Sequence, residues 1–487
     1  MKRKRKNNDV TLSEIVENEI KLNGLRQGFS KALNKSSERL KYRNSIQHCD
    51  LTNIPFVTID GEDSKDFDDA VWSECNDKKT KIMIAIADVS FYVEKGDLID
   101  IEAKKRGNSF YFPNKVIPML PEELSNNLCS LVPQRKRKSV VLEIDIESGK
   151  VKKFKFYRAV IKSVARLTYQ EAENIFLEKD KSNKLFSIIL NLFNTYKILQ
   201  ENSKKRNKIS FDPDEYLIET DNEKKINIIK KKKLESYKLI EEFMVLANTI
   251  VGHYLKINNI KSIFRNHEKP PTQKTRILNE IIALYNLNHS GNFNSQNDFN
   301  KIIKILKENK IDFLNDMLLR SQSRAFYSTE NKGHFGLSLD FYVHFTSPIR
   351  RYSDLVVHRD LIDCYFLKKR KSQIEFTDHL NTQEKKADSM ERTIFDIASS
   401  YYLKKLRNYE FKGFIDSVEN FGVFIKAINY PFSGLARYKF FNSQYEKKNK
   451  ENYKLGQIVK FKIKKINNRN GKILLFKVRK LENNAQK

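Results

Sequence analysis

The chain has 487 residues, 40% of them apolar and 11% aromatic, enough for a buried core and about three domains. Lys and Arg number 91 against 61 Asp and Glu, a net charge of +30. A Lys-rich composition accounts for part of that excess, and the rest points to a polyanionic partner. Four scattered cysteines (Cys49, Cys75, Cys129, Cys364) with no CxxC pair exclude a disulfide scaffold or a zinc ribbon. No apolar run is long enough to span a membrane, and neither GxxxxGK[ST] nor a strand-following GxGxxG is present.

The first ten residues carry a net +4 and are not followed by the apolar stretch of a signal peptide. Residues 1–50 read as a short polar basic leader with one weak helical pattern from about Leu12 to Leu33. From Pro55 the texture turns β-rich. PFVTID and KIMIAIADVSFYV read as strands on either side of an acid-packed loop, IDGEDSKDFDDAVW. RKSVVLEIDIESGKVKKFKFYRAVI predicts a hairpin turning at Ser148-Gly149. Residues 168–205 predict helix, and ESYKLIEEFMVLANTIVGHYL carries an apolar stripe from Tyr237 to Tyr254. Further helices are expected around 272–287, 298–319, 353–370 and 382–408. Lys runs near Lys230–Lys233 and Glu446–Lys450 read as solvated loop edges. After about residue 409, five short β-rich runs predict a small barrel of the OB type. The expected architecture is a mixed α/β domain over 51–408 followed by a β-barrel over 409–482.

Charge is unevenly spread. Residues 51–100 hold twelve acidic and five basic residues, whereas 411–487 carry a net +13. A carboxylate cluster repels a polyanion unless cations neutralise it. Asp60, Asp66, Asp68 and Asp69 follow the spacing D-x5-D-x-D-D, with Asp60 ending a strand and the others on the returning loop. They are either scattered in solvent or gathered around hard cations such as Mg²⁺ or Mn²⁺. A calcium loop fits poorly: DSKDFDDAVWSE has no Gly at its sixth position, although Glu74 falls at its twelfth.

The segment VTIDGEDSKDFDDAV resembles the signature of the ribonuclease II/ribonuclease R (RNB) family of exoribonucleases. AIADVSFYV, SFYFPNKVIPMLPEELSNNLCSL, ARLTY, KLIEEFMVLAN, RNHEKP and HFGLSLDFYVHFTSPIRRYSDLVVHR resemble its successive blocks in order, closer to ribonuclease R than to ribonuclease II. FKGFIDSVENFGVFI resembles its S1 domain. The resemblance implies a 3′→5′ hydrolytic exoribonuclease that degrades single-stranded RNA to nucleoside 5′-monophosphates by a two-metal mechanism. It implies Mg²⁺, with Mn²⁺ as a substitute, on Asp60, Asp66, Asp68 and Asp69.

By the same resemblance Arg350, in TSPIRRY, and Glu391, in SMERT, join Asp68 in catalysis. Arg351 either binds phosphate or pairs with Asp354. Tyr111 and Phe211 resemble the aromatic pair that clamps the 3′-terminal bases. Phe421, Phe424 and Arg437 fall where S1 domains meet RNA, though a small barrel also needs phenylalanines in its core. His334 and His344 read as structural histidines. Relatives carry two cold-shock barrels ahead of the catalytic domain, and the roughly 50 residues before Pro55 are too few for one. A cytoplasmic monomer without membrane attachment is expected. The rivals are a nonenzymatic RNA-binding protein, and an endonuclease or DNA-directed nuclease using the same metals.

Overall fold

The computed structural model describes residues 10–42, 48–76, 79–221, 225–287, 292–369, 376–440 and 453–481. The Glu446–Lys450 run lies outside them. Two helices open the chain, α1 (Leu12–Leu22) and α2 (Lys31–Glu38). A capping box between Thr11 and Glu14 starts α1, and its Leu12, Ile15, Val16 and Ile20 are buried. The described part of the leader, residues 10–42, packs on the domain that follows, through α1 and through Leu33 of α2.

The central sheet has seven strands: β1 (Cys49–Asp50), β2 (Val57–Asp60), β3 (Asp69–Asn76), β4 (Lys79–Ala87), β7 (Lys136–Glu147), β8 (Lys150–Lys162) and β9 (Ala165–Thr168). Helix α3 (Leu98–Arg106) and a small hairpin, β5 (Phe110–Phe112) with β6 (Lys115–Ile117), are inserted between β4 and β7. The sheet order is β1-β8-β7-β4-β3-β2-β9, with parallel pairs only at the two edges. Strands β4 and β7 are buried along most of their length, as strands covered on both faces must be. Ser148 (φ 48°) and Gly149 (φ 76°) turn the β7–β8 hairpin at the expected place with the left-handed geometry of a tight two-residue turn.

The predicted 168–205 helix is two helices, α4 (Tyr169–Glu178) and α5 (Phe186–Lys205). The break falls at Lys179, whose φ is +54°, inside the charged, non-periodic stretch EKDKSNK. Thr195 of α5 donates its hydroxyl to Ser73 of β3 at 2.9 Å, a buried pair that fixes the helix on the sheet. A second hairpin, β10 (Tyr216–Thr220) with β11 (Ile226–Lys230), precedes α6 (Glu235–Ile257), which carries the predicted stripe. Strand β12 (Phe264–Asn266) pairs with β13 (Phe326–Ser328) around a helical insert of α7 (Thr272–Leu284), α8 (Gln296–Glu308) and α9 (Asn315–Ser321). The predicted 298–319 helix breaks at Lys310, φ +56°. Helix α10 (Tyr352–Leu361) continues into a π-turn at Ile362–Phe366, and α11 (Thr377–Leu403) begins five residues earlier than its apolar pattern indicated.

Strands β14 (Glu410–Glu419), β15 (Gly422–Ala427), β16 (Ser433–Arg437), β17 (Ile458–Asn467) and β18 (Lys472–Lys480) close a barrel in the order β14-β15-β16-β18-β17. The barrel has its own core around Phe411, Ile425, Phe461 and Leu475, but it is docked. Phe414 of β14 packs with Ile281 and Phe313 of the helical insert. Tyr285 donates its hydroxyl to the Gly456 carbonyl at 2.6 Å, and Arg320 pairs with Asp416. Gly471, φ +68°, passes so close to α11 that a Cβ would lie 2.6 Å from the Asp396 carbonyl carbon. No helix among the described residues is long and apolar enough to cross a membrane.

One buried carboxylate on α10 makes the fold pH-sensitive away from the candidate site. Asp360 accepts from Ser262 at 2.7 Å. Burial pushes its pKa up to about 7, with Ser262 opposing and Asp363 adding to the rise. The folded chain holds this proton more tightly than the unfolded chain, whose Asp titrates near 3.8. Its contribution is therefore full below about pH 4 and is lost as pH rises through about 7. Asp360→Asn, which keeps an acceptor for Ser262, is expected to stabilise the protein at pH 8 by on the order of 3 kcal/mol and to leave it unchanged at pH 4. Thermal melts of both proteins across that range check the difference.

Candidate active site

The acidic loop is built rigidly. Asp60 ends β2 and Asp69 opens β3, so the register of two paired strands places both. Between them the loop is tied by its backbone. Phe67 donates N–H to Ser130 Oγ at 3.0 Å, and Leu131 donates to the Phe67 carbonyl at 2.9 Å. Ala87 donates to the Asp68 carbonyl at 2.8 Å. Arg166 bridges the Gly61 and Glu62 carbonyls at 2.5 and 2.6 Å. Asp68 then reaches across the fold and accepts from the Ile349 N–H at 2.8 Å, with Arg350 Nε 3.4 Å from its other oxygen.

The electrostatics follow from crowding without water. Burial, then Asp69 and Asp66, raises Asp60 to about 8 against the pull of Arg350. Burial raises Asp69 to about 6, with Arg350 opposing. Asp68 is pushed well above the carboxylate range, first by burial and then by Asp66, while Arg350 and the Ile349 N–H work the other way. One oxygen each of Asp60 and Asp68 is buried without a hydrogen bond. Among the described residues no three His, Cys, Asp or Glu side chains close into one ligand shell. Tyr111 holds Asp66, and the Ile349–Arg350 loop holds Asp68. All donors are carboxylate oxygens, two of them orphaned, and the cluster is short of positive charge. That set fits hard divalent cations.

Residues 347–351 face this cluster. Asp354, fully buried in the first turn of α10, accepts from the Ser347 N–H at 2.8 Å and takes two hydrogen bonds from Arg351, at 2.9 and 2.7 Å. Of the two sequence readings of Arg351, the pairing with Asp354 is the contact made here. Arg350 is half open to solvent and donates to Ser347 Oγ at 3.2 Å. Burial alone would lower its pKa, but Asp68, Tyr111 and Asp66 raise it overall. Tyr111, 39% exposed, turns its hydroxyl inward to donate to Asp66 at 2.5 Å, and the Arg350 guanidinium sits 6.0 Å from its ring centroid. Burial and then Asp66 raise the phenol's pKa.

Glu391 is on the exposed side of α11, where partial desolvation and then Asp388 raise its pKa. Its neighbour Met390 packs with Phe110 and Phe112 on either side of Tyr111, which puts α11 and the Tyr111 hairpin in one wall. Phe211 is half-buried elsewhere, edge-on to Phe299 in the helical insert. His344 hydrogen-bonds Tyr327 at 2.8 Å, and His334 accepts from the Leu337 N–H at 3.2 Å. Burial, helped by neighbouring cations, lowers both histidines' pKa, as expected of neutral structural histidines.

A cleft of about 1580 Å³ separates the barrel from the α/β domain. Phe421, 55% exposed, and the half-buried Phe424 line it together with Lys426, Lys465, Lys472 and Arg392 of α11. Arg437 is exposed opposite Gly422, outside that lining. The cleft does not include the four aspartates, but Arg392 brings it within one residue of Glu391. Sequence reading offered Asp354 as a partner of Arg351 but missed its bond from the Ser347 N–H and the outer packing of the Tyr111 hairpin. The i,i+3 spacing of Arg351 and Asp354 was the visible signal for their pairing.

Residues 48–366 match the RNB domain, and residues 407–477 match the S1 RNA binding domain. Fold and site together define a protein with an RNB α/β domain and a C-terminal S1 barrel. The chain belongs to the RNB family. It is 37% identical over 426 residues to Ribonuclease R of Escherichia coli (strain K12), covering 81% of this chain and 52% of that protein. It therefore spans about half the length of that curated relative. It superimposes with a TM-score of 0.88 on the Mycoplasma genitalium RNase R solved in complex with ribose methylated single-stranded RNA, at 29% identity, covering 96% of this chain and 78% of that one. The fold is shared too by yeast Ssd1, described as a pseudonuclease, at 17% identity and a TM-score of 0.69, covering 87% of this chain and 55% of that one. Activity must accordingly be argued from the site residues and not from the fold.

Removing the Asp354 carboxylate leaves the Arg351 charge and the Ser347 N–H without their partner. Asp354→Ala is expected to cost about 3–5 kcal/mol of stability. Arg351→Ala/Asp354→Ala should cost less than Asp354→Ala alone, because no uncompensated charge remains. Denaturant titrations of the three variants check the order.

Proposed function

We propose that the chain is a 3′→5′ hydrolytic exoribonuclease that degrades single-stranded RNA to nucleoside 5′-monophosphates in RNA turnover. The observation that carries this reading is the cluster of Asp60, Asp66, Asp68 and Asp69, with Asp68 buried and the others half-buried, facing Arg350. These four carboxylates would hold divalent cations, Mg²⁺ or Mn²⁺. Bound there, two such ions would supply an activated water and neutralise charge at the scissile phosphate.

The remaining work falls to this chain's own groups. Arg350, held by Ser347 Oγ and by Asp68, presents a fixed positive charge to a phosphate at the cluster. Glu391, next to Met390 on α11, is assigned as the further acidic residue of the site on resemblance to the family. The open face of Tyr111 offers a stacking surface for a terminal base beside Arg350. Phe211 is assigned to base stacking, and Arg351 to the phosphate path, on resemblance to the family. The cleft, with Phe421 and Phe424 stacking and its lysines tracking phosphates, guides single-stranded RNA towards α11, and Arg437, outside the cleft, is assigned to RNA contact on resemblance to the family.

Asp68→Asn keeps an oxygen for the Ile349 N–H but removes one negative charge from the cluster. Hydrolysis of 5′-labelled RNA is expected to fall by several orders of magnitude, with RNA affinity nearly unchanged. Wild type should yield mononucleotides from RNA and none from DNA. Internal fragments, or residual activity of the variant above about a tenth, would overturn the assignment.

The barrel contacts are separable by type. Phe421→Ala is expected to weaken RNA binding by about 1–3 kcal/mol and to leave its salt dependence unchanged. Lys465→Ala/Lys472→Ala should flatten the slope of log affinity against log salt by about 0.7 per lost contact. Binding isotherms across a salt series distinguish the two.

A further inference from the structure

The leader's packing bears on the site itself. Strand β5 alternates: Phe110 and Phe112 are buried, while Tyr111 between them points to Asp66. The two buried phenylalanines pack in one cluster with α1 and α11. Leu12, Ile15, Val16 and Ile20 form one cluster with Phe110, Phe112 and Ile117 of the hairpin and with Met390 and Ile394 of α11. The hairpin is a separate two-stranded sheet, an arrangement that does not hold its place without packing. Its outer support is α1 and α11.

Polar ties follow the same path. Asn114, in the hairpin turn, donates to Ser13 Oγ at 2.8 Å, and Lys115 pairs with Glu17. Lys386 of α11 donates to the Asn23 carbonyl at 2.9 Å. Arg106, at the end of α3 and just ahead of the hairpin, donates to the Arg26 and Gly28 carbonyls at 3.2 and 2.5 Å, with its guanidinium 3.9 Å from the Phe29 ring centroid. The segment is thus fastened on three sides of the strand that carries Tyr111.

We propose that residues 10–29 are a positioning clamp for Tyr111, setting from behind the placement of the aromatic ring against Asp66 and Arg350. α1 touches none of the four aspartates. It acts through the hairpin, and its role in catalysis rests on the proposed exoribonuclease reading of Tyr111.

The test uses the full chain with Ile15→Ala/Ile20→Ala and the conservative Ile15→Val/Ile20→Val, each with Tyr111 present and with Tyr111→Ala. Amide hydrogen exchange reads the hairpin directly. In the alanine variant residues 110–117 should exchange at least about tenfold faster, with 458–467 of the barrel unchanged, and the valine variant should restore protection. On single-stranded RNA, kcat/KM of the alanine variant should fall severalfold when Tyr111 is present and not fall further in the Tyr111→Ala background. Unchanged hairpin protection, or an equal loss of kcat/KM in both backgrounds, overturns the clamp. Should the double variant not fold, Ser13→Ala, which removes only the hydrogen bond from Asn114, is read by the same exchange criterion. If wild type releases no mononucleotides, the exoribonuclease reading fails, and the exchange data still decide whether α1 places the hairpin.

Discussion

Burying like charges together is costly, and the centre of this molecule is organised around that cost. Burial raises the pKa of Asp60, Asp68 and Asp69, and like-charged neighbours add to the rise at Asp60 and Asp68. Such a cluster survives in a fold only if its backbone is over-determined and a cation is fixed opposite. Both conditions are met. The loop is tied by Ser130, Leu131, Ala87 and Arg166, and Arg350 stands against Asp68.

The arginine loop is held in turn by a buried anion of its own. Asp354 occupies the first turn of α10, where a negative charge is favoured, and gathers the Ser347 N–H and the Arg351 guanidinium. Backbone bonds then pass the placement on. Tyr352 donates to the Gly107 carbonyl and Ser109 to the Arg350 carbonyl, both at 2.9 Å. The strand carrying Tyr111 therefore starts from the same anchor as the guanidinium it faces. Aspartates, arginine and tyrosine come from three distant stretches of chain and are tied together by these bonds.

Much of this could be read in the sequence where the signal is local. The β-rich runs around the acidic loop, the Ser148-Gly149 turn, the stripe from Tyr237 to Tyr254 and the closing barrel all follow from periodicity and turn chemistry. The breaks at Lys179 and Lys310 did not, because helical spacing resumes on each side of a left-handed residue. The helical pattern read from Leu12 in the leader corresponds to α1 and α2, but its burial was not legible from composition. Averaged over fifty residues the leader is polar, yet Leu12, Ile15, Val16 and Ile20 lie at helical spacing behind a Thr11-x-x-Glu14 cap. The contact between Tyr111 and Asp66 spans 45 residues and leaves no periodic trace. Acidic spacing placed the aspartates in one loop. It could not show that Tyr111 and Ile349 hydrogen-bond two of them.

The docking of the barrel has a consequence for how the two parts of the molecule can change over evolutionary time. An S1 barrel on a flexible tether could be exchanged freely between proteins, since only its linker would need to match. Here Phe414 lends its side chain to a neighbour's core, Tyr285 reaches into the barrel for its hydrogen bond, and Gly471 is required to be glycine by a helix outside the barrel. A donor barrel with the same topology but different residues at these seams would arrive with a hole at one contact and a clash at another. Substitutions on either side of the seam are constrained by what faces them across it.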